Sequence, residues 1–593
     1  MEKKYVQKKW SLEDILPHET AKDLDTYFSG IEKDVVLYEK YRGNNPKTKE
    51  EVGEAMALNE KITVAATKIG AYASLKEDED VRDQDAKAFA DKAKDHLTEI
   101  QNRTLFLSLW WKGIDDEEAT KLLPENEEYA HALTESRKMR KYTLSEDVEK
   151  TINIKDKNGA SELIKIYDDI TNSFMFTIRV DGKTIKENGK TRKFTRDELA
   201  KFAKSTNPKE REGAYKSLYG KYGENSRVLG SIYKAVVKDR LDEGVGMRKY
   251  ESSIGMKNIS NDVPDEAVNA LLQACRENRG IFHDFFRLKA KMLGTGKLRR
   301  YDIFAPIKQI DRKVEFDEGL KTVFEAFDNF HPEFGRLGRK PFDEGHVDSE
   351  IREGKRNGAF CAGMPSGITP YIMLNYTGKI DDVFTAAHED GHAIHDMKSE
   401  KHSIFNAGAP LPLAETASTF AEAVLSDHLM ERETDKEVKK YMLAKELDDM
   451  YGTVMRQAYF TIFEKDAHEM IAKGTTVDEL SGKYMENLRE QFGDAVDVSD
   501  EFKNEWIIIP HIYHTPFYCY AYSFGNLLAL SLYDKCKKDP GFKESYFKIL
   551  EYGGSESPEK ILSEVGIDIK SKEFWQGGFD VIKSMVNELR EMD

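Results

Sequence analysis

The chain has 593 residues, of which 39% are apolar and 33% charged, with a formal net charge of −17. That is ample apolar material for a large core, which excludes a disordered or fibrous chain. The acidic balance argues against binding nucleic acid or anionic lipid, since both need a cationic surface.

The N-terminal stretch Met1–Leu16 is charged and lacks an apolar h-region, so no signal peptide is expected. Four cysteines (Cys275, Cys361, Cys519 and Cys536) form no C-x-x-C pair. They predict neither a zinc knuckle nor a disulfide scaffold, and they favour a reducing, cytoplasmic setting. The longest apolar runs, near Trp506–Ile509 and Leu527–Leu532, are too short to span a bilayer.

Taken in chain order, most segments predict helix. Asp78–Ile100, Pro208–Tyr222 and Asp435–Ala472 are rich in Ala, Leu, Glu and Lys, with apolar residues three and four apart. Only 16 prolines in the chain suit long helices. Two regions break the pattern. In Ser173–Lys193, Phe174, Phe176, Ile178 and Val180 alternate before Asp181-Gly182, a hairpin turn pair. A soft boundary follows near residue 200, giving a helical N-terminal lobe (1–200) and a second lobe (201–593). In Ala359–Tyr376, Gly363, Gly367 and Pro370 punctuate the chain, and Tyr371–Tyr376 predicts a short strand.

The segment Asp381–Asp396, DDVFTAAHEDGHAIHD, carries the chemistry. His388 and His392 are four apart, about 400° of helical rotation, so both imidazoles reach one zinc ion from one face. Glu389 lies beside that ion, where it can accept a proton from water. Asp381 or Asp382 can cap the helix start. Chance predicts roughly 0.03 H-E-x-x-H patterns in such a chain. A catalytic zinc needs a third protein ligand and one open position. A metzincin would place Gly at 395 and His at 398; here they are His395 and Lys398. Glu415 and Glu422 share a face of the next predicted helix, after Pro410 and Pro412. One could bind zinc while the other accepts a hydrogen bond from a ligand imidazole. Spacing puts Glu415 slightly ahead and leaves both open. His395, on the ligand face, is expected to be a supporting or core histidine.

In His511–Gly525, Thr515 and Pro516 predict a helix start, with Tyr518 and Tyr522 on one face and Tyr520 on another. His511 and His514 would lie in the approach loop. A phenol or imidazole there can donate a hydrogen bond to a developing oxyanion.

HEDGHAIH followed by ETAS resembles the zinc metallopeptidase family of thimet oligopeptidase and neurolysin, in its oligoendopeptidase F branch. KKWSLEDILP (Lys8–Pro17), LRRYDIFAP (Leu298–Pro306), GKRNGAF (Gly354–Phe360), PYIMLNYTGKIDDVFTAAHE (Pro370–Glu389) and HIYHTPFYCYAYSFG (His511–Gly525) are also similar to that branch. The resemblance implies a mainly α, two-lobed body with a deep central cleft and a small β-sheet beside the zinc helix. It implies one Zn²⁺ held by His388, His392 and Glu415, with Glu389 as general base and short peptides as substrates. It raises His511 and Tyr522, with Tyr518 nearby, as stabilisers of the transition state. Asp390 departs from the family, which usually has an apolar or neutral residue there; it is expected to point away from the metal and could pair with a cation. Tyr371–Tyr376 is expected to be an exposed edge strand binding extended peptide through Tyr371 and Met373, with His514 also contacting substrate. A carboxypeptidase or dipeptidyl carboxypeptidase is the alternative; it would need a cationic pocket, for which Arg352 or Arg356 could serve.

Overall fold

The computed structural model describes residues 3–17, 24–308 and 313–593, apart from the side chains of residues 146, 150, 153 and 157. The protein is mainly helical, with a few very short strands. Among the described residues no helix is long and apolar enough to cross a membrane. The chain forms two compact units, each assembled from three stretches. Unit 1 is Met1–Thr143, Arg312–Glu431 and Leu532–Gly566; unit 2 is Leu144–Asp311, Arg432–Ser531 and Ile567–Asp593. Residue 200 therefore falls inside the first stretch of unit 2.

In unit 1, the helices Lys49–Glu79 and Gln84–Gly113 pack along each other. Ile62, Ile69 and Ala73 of the first meet Ala93, Ile100 and Leu107 of the second in one buried cluster. The stretch from Asp78 to Ile100 is thus not one helix. Asp80 turns extended, and Asp83 restarts the helix by accepting the Asp85 and Ala86 N–H groups. Such short acidic side chains compete for backbone donors and favour caps over helix interiors.

Unit 1 also holds a three-stranded sheet. Tyr371–Met373 lies in its centre, parallel to Val347–Asp348 and antiparallel to Phe360–Ala362. This corrects the expected edge strand. Tyr371 and Met373 are fully buried, with the Tyr371 hydroxyl donating to Ser11 O and its ring stacked on His346. Three consecutive buried residues fit a strand with neighbours on both sides. The edges are Val347–Asp348 and Phe360–Ala362, the latter being the edge strand nearest helix Ile380–Ser399.

In unit 2, the region 173–193 forms two hairpins rather than one. Arg179–Val180 pairs with Lys183–Thr184, and Lys186–Glu187 pairs with Lys190–Thr191. Each turn has two residues of positive φ: Asp181-Gly182 (51° and 73°) and Asn188-Gly189 (50° and 77°). Both pairs suit the mirror-image turn that joins twisted strands tightly. Helix Pro208–Glu224 follows the expected span, with Asn207 accepting the Lys209 N–H and Pro208 in the first turn. Lys436–Ala472, capped by Asp435, is continuous helical backbone whose middle, Tyr451–Met455, widens to π geometry. The C-terminal helix Lys572–Met592 packs on Asp265–Met292 and Lys436–Met450.

Candidate metal centre and active site

The motif lies on helix Ile380–Ser399 of unit 1. Lys379 takes the capping position, and Asp382, three residues on, reaches back to accept the Lys379 N–H (3.0 Å) and the Thr377 N–H (2.6 Å). Asp382 rather than Asp381 thus closes this end. Val383, Ala386, Ala387, Ala393 and Ile394 are buried, which leaves one face for the histidines.

Helix Leu411–Arg432 supplies the carboxylates. It comes close because residue 391 is glycine. A Cβ there would sit 2.6 Å from Ala417 O and 2.7 Å from Ser418 Cα. The approach brings Glu415 Oε2 to 3.6 Å from both His388 Nε2 and His392 Nε2. One ligand atom from each of the three residues lies within 4.8 Å of the others. Donors about 2.0–2.1 Å from a tetrahedral zinc sit roughly 3.4 Å apart, so two imidazoles and a carboxylate at these separations fit that ion.

Glu422 sits one step behind. Its Oε1 is 2.9 Å from His388 Nδ1, which leaves Nε2 for a metal. Burial disfavours charge on His388, but the Glu422 hydrogen bond and the Glu422, Glu389 and Glu415 carboxylates hold its pKa up at about 9. His392 falls to about 4 through burial and the neighbouring His388, against the pull of Glu415 and the Ala414 carbonyl. Glu389 is 7% exposed, and burial, with Glu415 and Glu422, pushes it up to about 7 against the pull of His388. The backbone N–H of Cys361, on the edge strand, favours its charged form.

The three ligand atoms open into a cavity of about 420 Å³. Glu389 and His395 line it, as does the edge strand through Phe360 and Cys361. Tyr371 and Met373 do not. Asp390 points into the core: it is fully buried, neither carboxylate oxygen has a partner among the described residues, and Oδ2 lies where a Cβ on Gly338 would come within 2.6 Å. Burial pushes its pKa well up against the pull of Arg339, and neither oxygen makes the expected hydrogen-bonded pair with a cation among the described residues. Arg352 is forked onto Asp348 (2.8 and 2.6 Å), and Arg356 pairs with Asp78 (3.1 Å). Both cations considered for a carboxylate pocket are therefore engaged by acids.

The remaining residues lie in unit 2. His511 and His514 belong to a short helix, Pro510–His514, rather than a loop. The next helix starts at Tyr520, not Pro516, because Phe517 adopts φ +62°, which a right-handed helix cannot contain. Tyr518 sits in the intervening turn, yet its ring packs on Tyr522 (5.2 Å between centroids) and stacks on His511 (5.7 Å). His514 bonds Asp168 through Nε2 (2.9 Å). Tyr520 is buried against the Asn261 amide (2.7 Å).

Residues 201–581 match the peptidase family M3, and residues 110–176 match the oligopeptidase F family. The chain is 26% identical over 595 residues to the oligopeptidase PepF of Bacillus subtilis (strain 168), covering 98% of this chain and 87% of that one. A solved structure of a Chlamydophila abortus protein superposes with TM-score 0.86 at 23% identity, covering 99% and 98% of the two chains. The oligoendopeptidase-F of Enterococcus faecium superposes with TM-score 0.72 at 22% identity, covering 96% and 99%. The chain belongs to peptidase family M3, in its oligopeptidase F branch, and is a metalloendopeptidase.

Proposed function

We propose that this protein is a zinc-dependent oligoendopeptidase that hydrolyses internal bonds of short peptides, with His388, His392 and Glu415 as the zinc ligands. The observation that carries the reading is the convergence of those three ligand atoms within 4.8 Å, beside Glu389. When bound, zinc supplies Lewis-acid activation of water and of the scissile carbonyl. Glu389 takes a proton from the attacking water and passes it to the leaving amine. Glu422 holds His388 in the tautomer that offers Nε2. The resemblance adds His511 and Tyr522, with Tyr518, as donors to the oxyanion; their mutual packing in unit 2 keeps the three rings together. The four free cysteines suit a cytoplasmic setting.

The test combines metal analysis with a quenched peptide. One zinc per chain is expected, with activity lost to a chelator and restored by zinc. Glu389→Gln should retain zinc and lose at least about 10³-fold in kcat, within the range of general acid–base effects. Turnover by that variant within tenfold of the parent would refute the assignment.

A further inference from the structure

The ligand face of the motif helix does not end at His392. His395, Asp396 and Ser399 continue it at i+7, i+8 and i+11 from His388, and all three line the same cavity. The reaction described above uses none of them.

His395 is only 6% exposed, yet its ring makes no hydrogen bond to any described residue. Asp396 Oδ2 accepts the Met364 N–H at 3.2 Å, while Oδ1 has no partner among the described residues. No cation among those residues faces this carboxylate. Burial lifts its pKa to about 6, the Met364 N–H opposes that, and the charged side chain acting on it, Glu400, has the same sign. The opposite wall has no side chain to cover Oδ1: a Cβ at Gly363 would lie 2.8 Å from it. Ala407, Ala409 and Ala414 keep the rest of the wall small.

A largely buried carboxylate without a counter-charge is costly unless something entering the cavity supplies donors. We propose that Asp396, with His395 beside it, forms the floor of a substrate pocket that selects a peptide residue with a cationic side chain, lysine or arginine, flanking the scissile bond. The distances suit this. Asp396 is four residues beyond His392, about 6 Å along the helix axis, which is about the reach of a lysine's four-carbon stem. Asp396 accepts from the ammonium or guanidinium through Oδ1, and a His395 ring nitrogen accepts a second N–H. Asp396 acts on substrate binding and takes no part in proton transfer.

The inference rests on the peptidase reading, and the experiment separates the two. Quenched peptides identical except for lysine, norleucine or glutamate next to the cleaved bond are compared on the zinc-loaded full chain, each with a free and an acetylated N-terminus. Wild type should prefer lysine over norleucine by at least tenfold in kcat/KM, largely through KM, and disfavour glutamate. Asp396→Asn, which keeps an acceptor for the Met364 N–H, should bring that ratio within twofold of unity. Gly363→Ala, which covers Oδ1, should lower it in the same direction. In the Glu389→Gln background, equilibrium binding of the lysine peptide should exceed that of the norleucine peptide, and adding Asp396→Asn should erase the difference without loss of zinc. Equal use of lysine and norleucine by wild type, or a ratio that survives Asp396→Asn, overturns the pocket. A preference abolished by N-terminal acetylation would assign the cation to the peptide's own α-amine and overturn the side-chain pocket. Absence of cleavage of every peptide would refute the peptidase reading, and the pocket with it.

Discussion

The contact at Gly391 makes the placement of Glu415 depend on the packing of two helices. In Gly391→Ala the added Cβ meets Ala417 O at 2.6 Å and Ser418 Cα at 2.7 Å, both backbone atoms that no rotamer change can move. Those distances fall roughly 0.8 Å short of van der Waals contact, so helix Leu411–Arg432 must shift by several tenths of an ångström. Overpacking of this kind costs about 1–3 kcal/mol, while exchanging a helical glycine for alanine returns up to ~1 kcal/mol. The net loss of stability should therefore be about 0–3 kcal/mol. Zinc affinity should suffer too. Glu415 rides on the displaced helix, and ligand distances tolerate only about ±0.2 Å. An affinity loss of at least about tenfold, or 1.4 kcal/mol, is expected. Competition with a chromophoric chelator reads the affinity, and urea unfolding of the chelated protein reads the stability. Gly482→Ala, in helix Val477–Phe492 with nothing within 4 Å of its Cβ, is the control and should be neutral or slightly stabilising. Unchanged zinc affinity in Gly391→Ala, within twofold, would refute the reasoning.

Glu422→Ala leaves His388 Nδ1 without its 2.9 Å partner and should weaken zinc binding about 10–100-fold, again read by chelator competition; affinity within twofold of the parent would contradict the role. Amidating a peptide's C-terminus should change kcat/KM by less than about threefold, because Arg352 and Arg356 are already engaged by Asp348 and Asp78 and charged pairs of this kind are not free to bind a carboxylate. A tenfold loss on amidation would revive the carboxypeptidase reading. Glu464, fully buried in unit 2, accepts the Phe517 N–H at 2.9 Å, and burial pushes its pKa from 4.5 up to about 8. The native protein holds that proton more tightly than the unfolded chain. Its contribution is therefore fully present below about pH 4.5 and lost as pH rises through about 8. Glu464→Gln should shrink the decline in stability between about pH 5 and pH 8 by on the order of a few kcal/mol, measured by urea unfolding; equal declines in both proteins would refute it.

The residues proposed to carry the chemistry were legible because their signal is local. A four-residue interval on a helix fixes two side chains to one face whatever the tertiary context, so His388, His392 and Glu389 follow from a short stretch of chain. Turn pairs such as Asp181-Gly182 are local for the same reason, though the second, Asn188-Gly189, is as plain in the sequence and divides the region into two hairpins.

What depended on contacts distant along the chain was decided only by folding. Spacing left Glu415 and Glu422 open; the approach of two helices across Gly391 puts one carboxylate 3.6 Å from both imidazoles and the other against Nδ1. An apolar run cannot state whether its strand is central or at an edge, because that depends on which segments pair with it; Tyr371–Met373 is central because Val347–Asp348 and Phe360–Ala362 flank it. The break at Phe517 is equally invisible in composition, since an uncommon backbone conformation is imposed by its surroundings rather than by the residue itself. Helical periodicity thus determined the face that bears the histidines, and packing between separate segments determined which carboxylate joins them and what lines the cavity beyond.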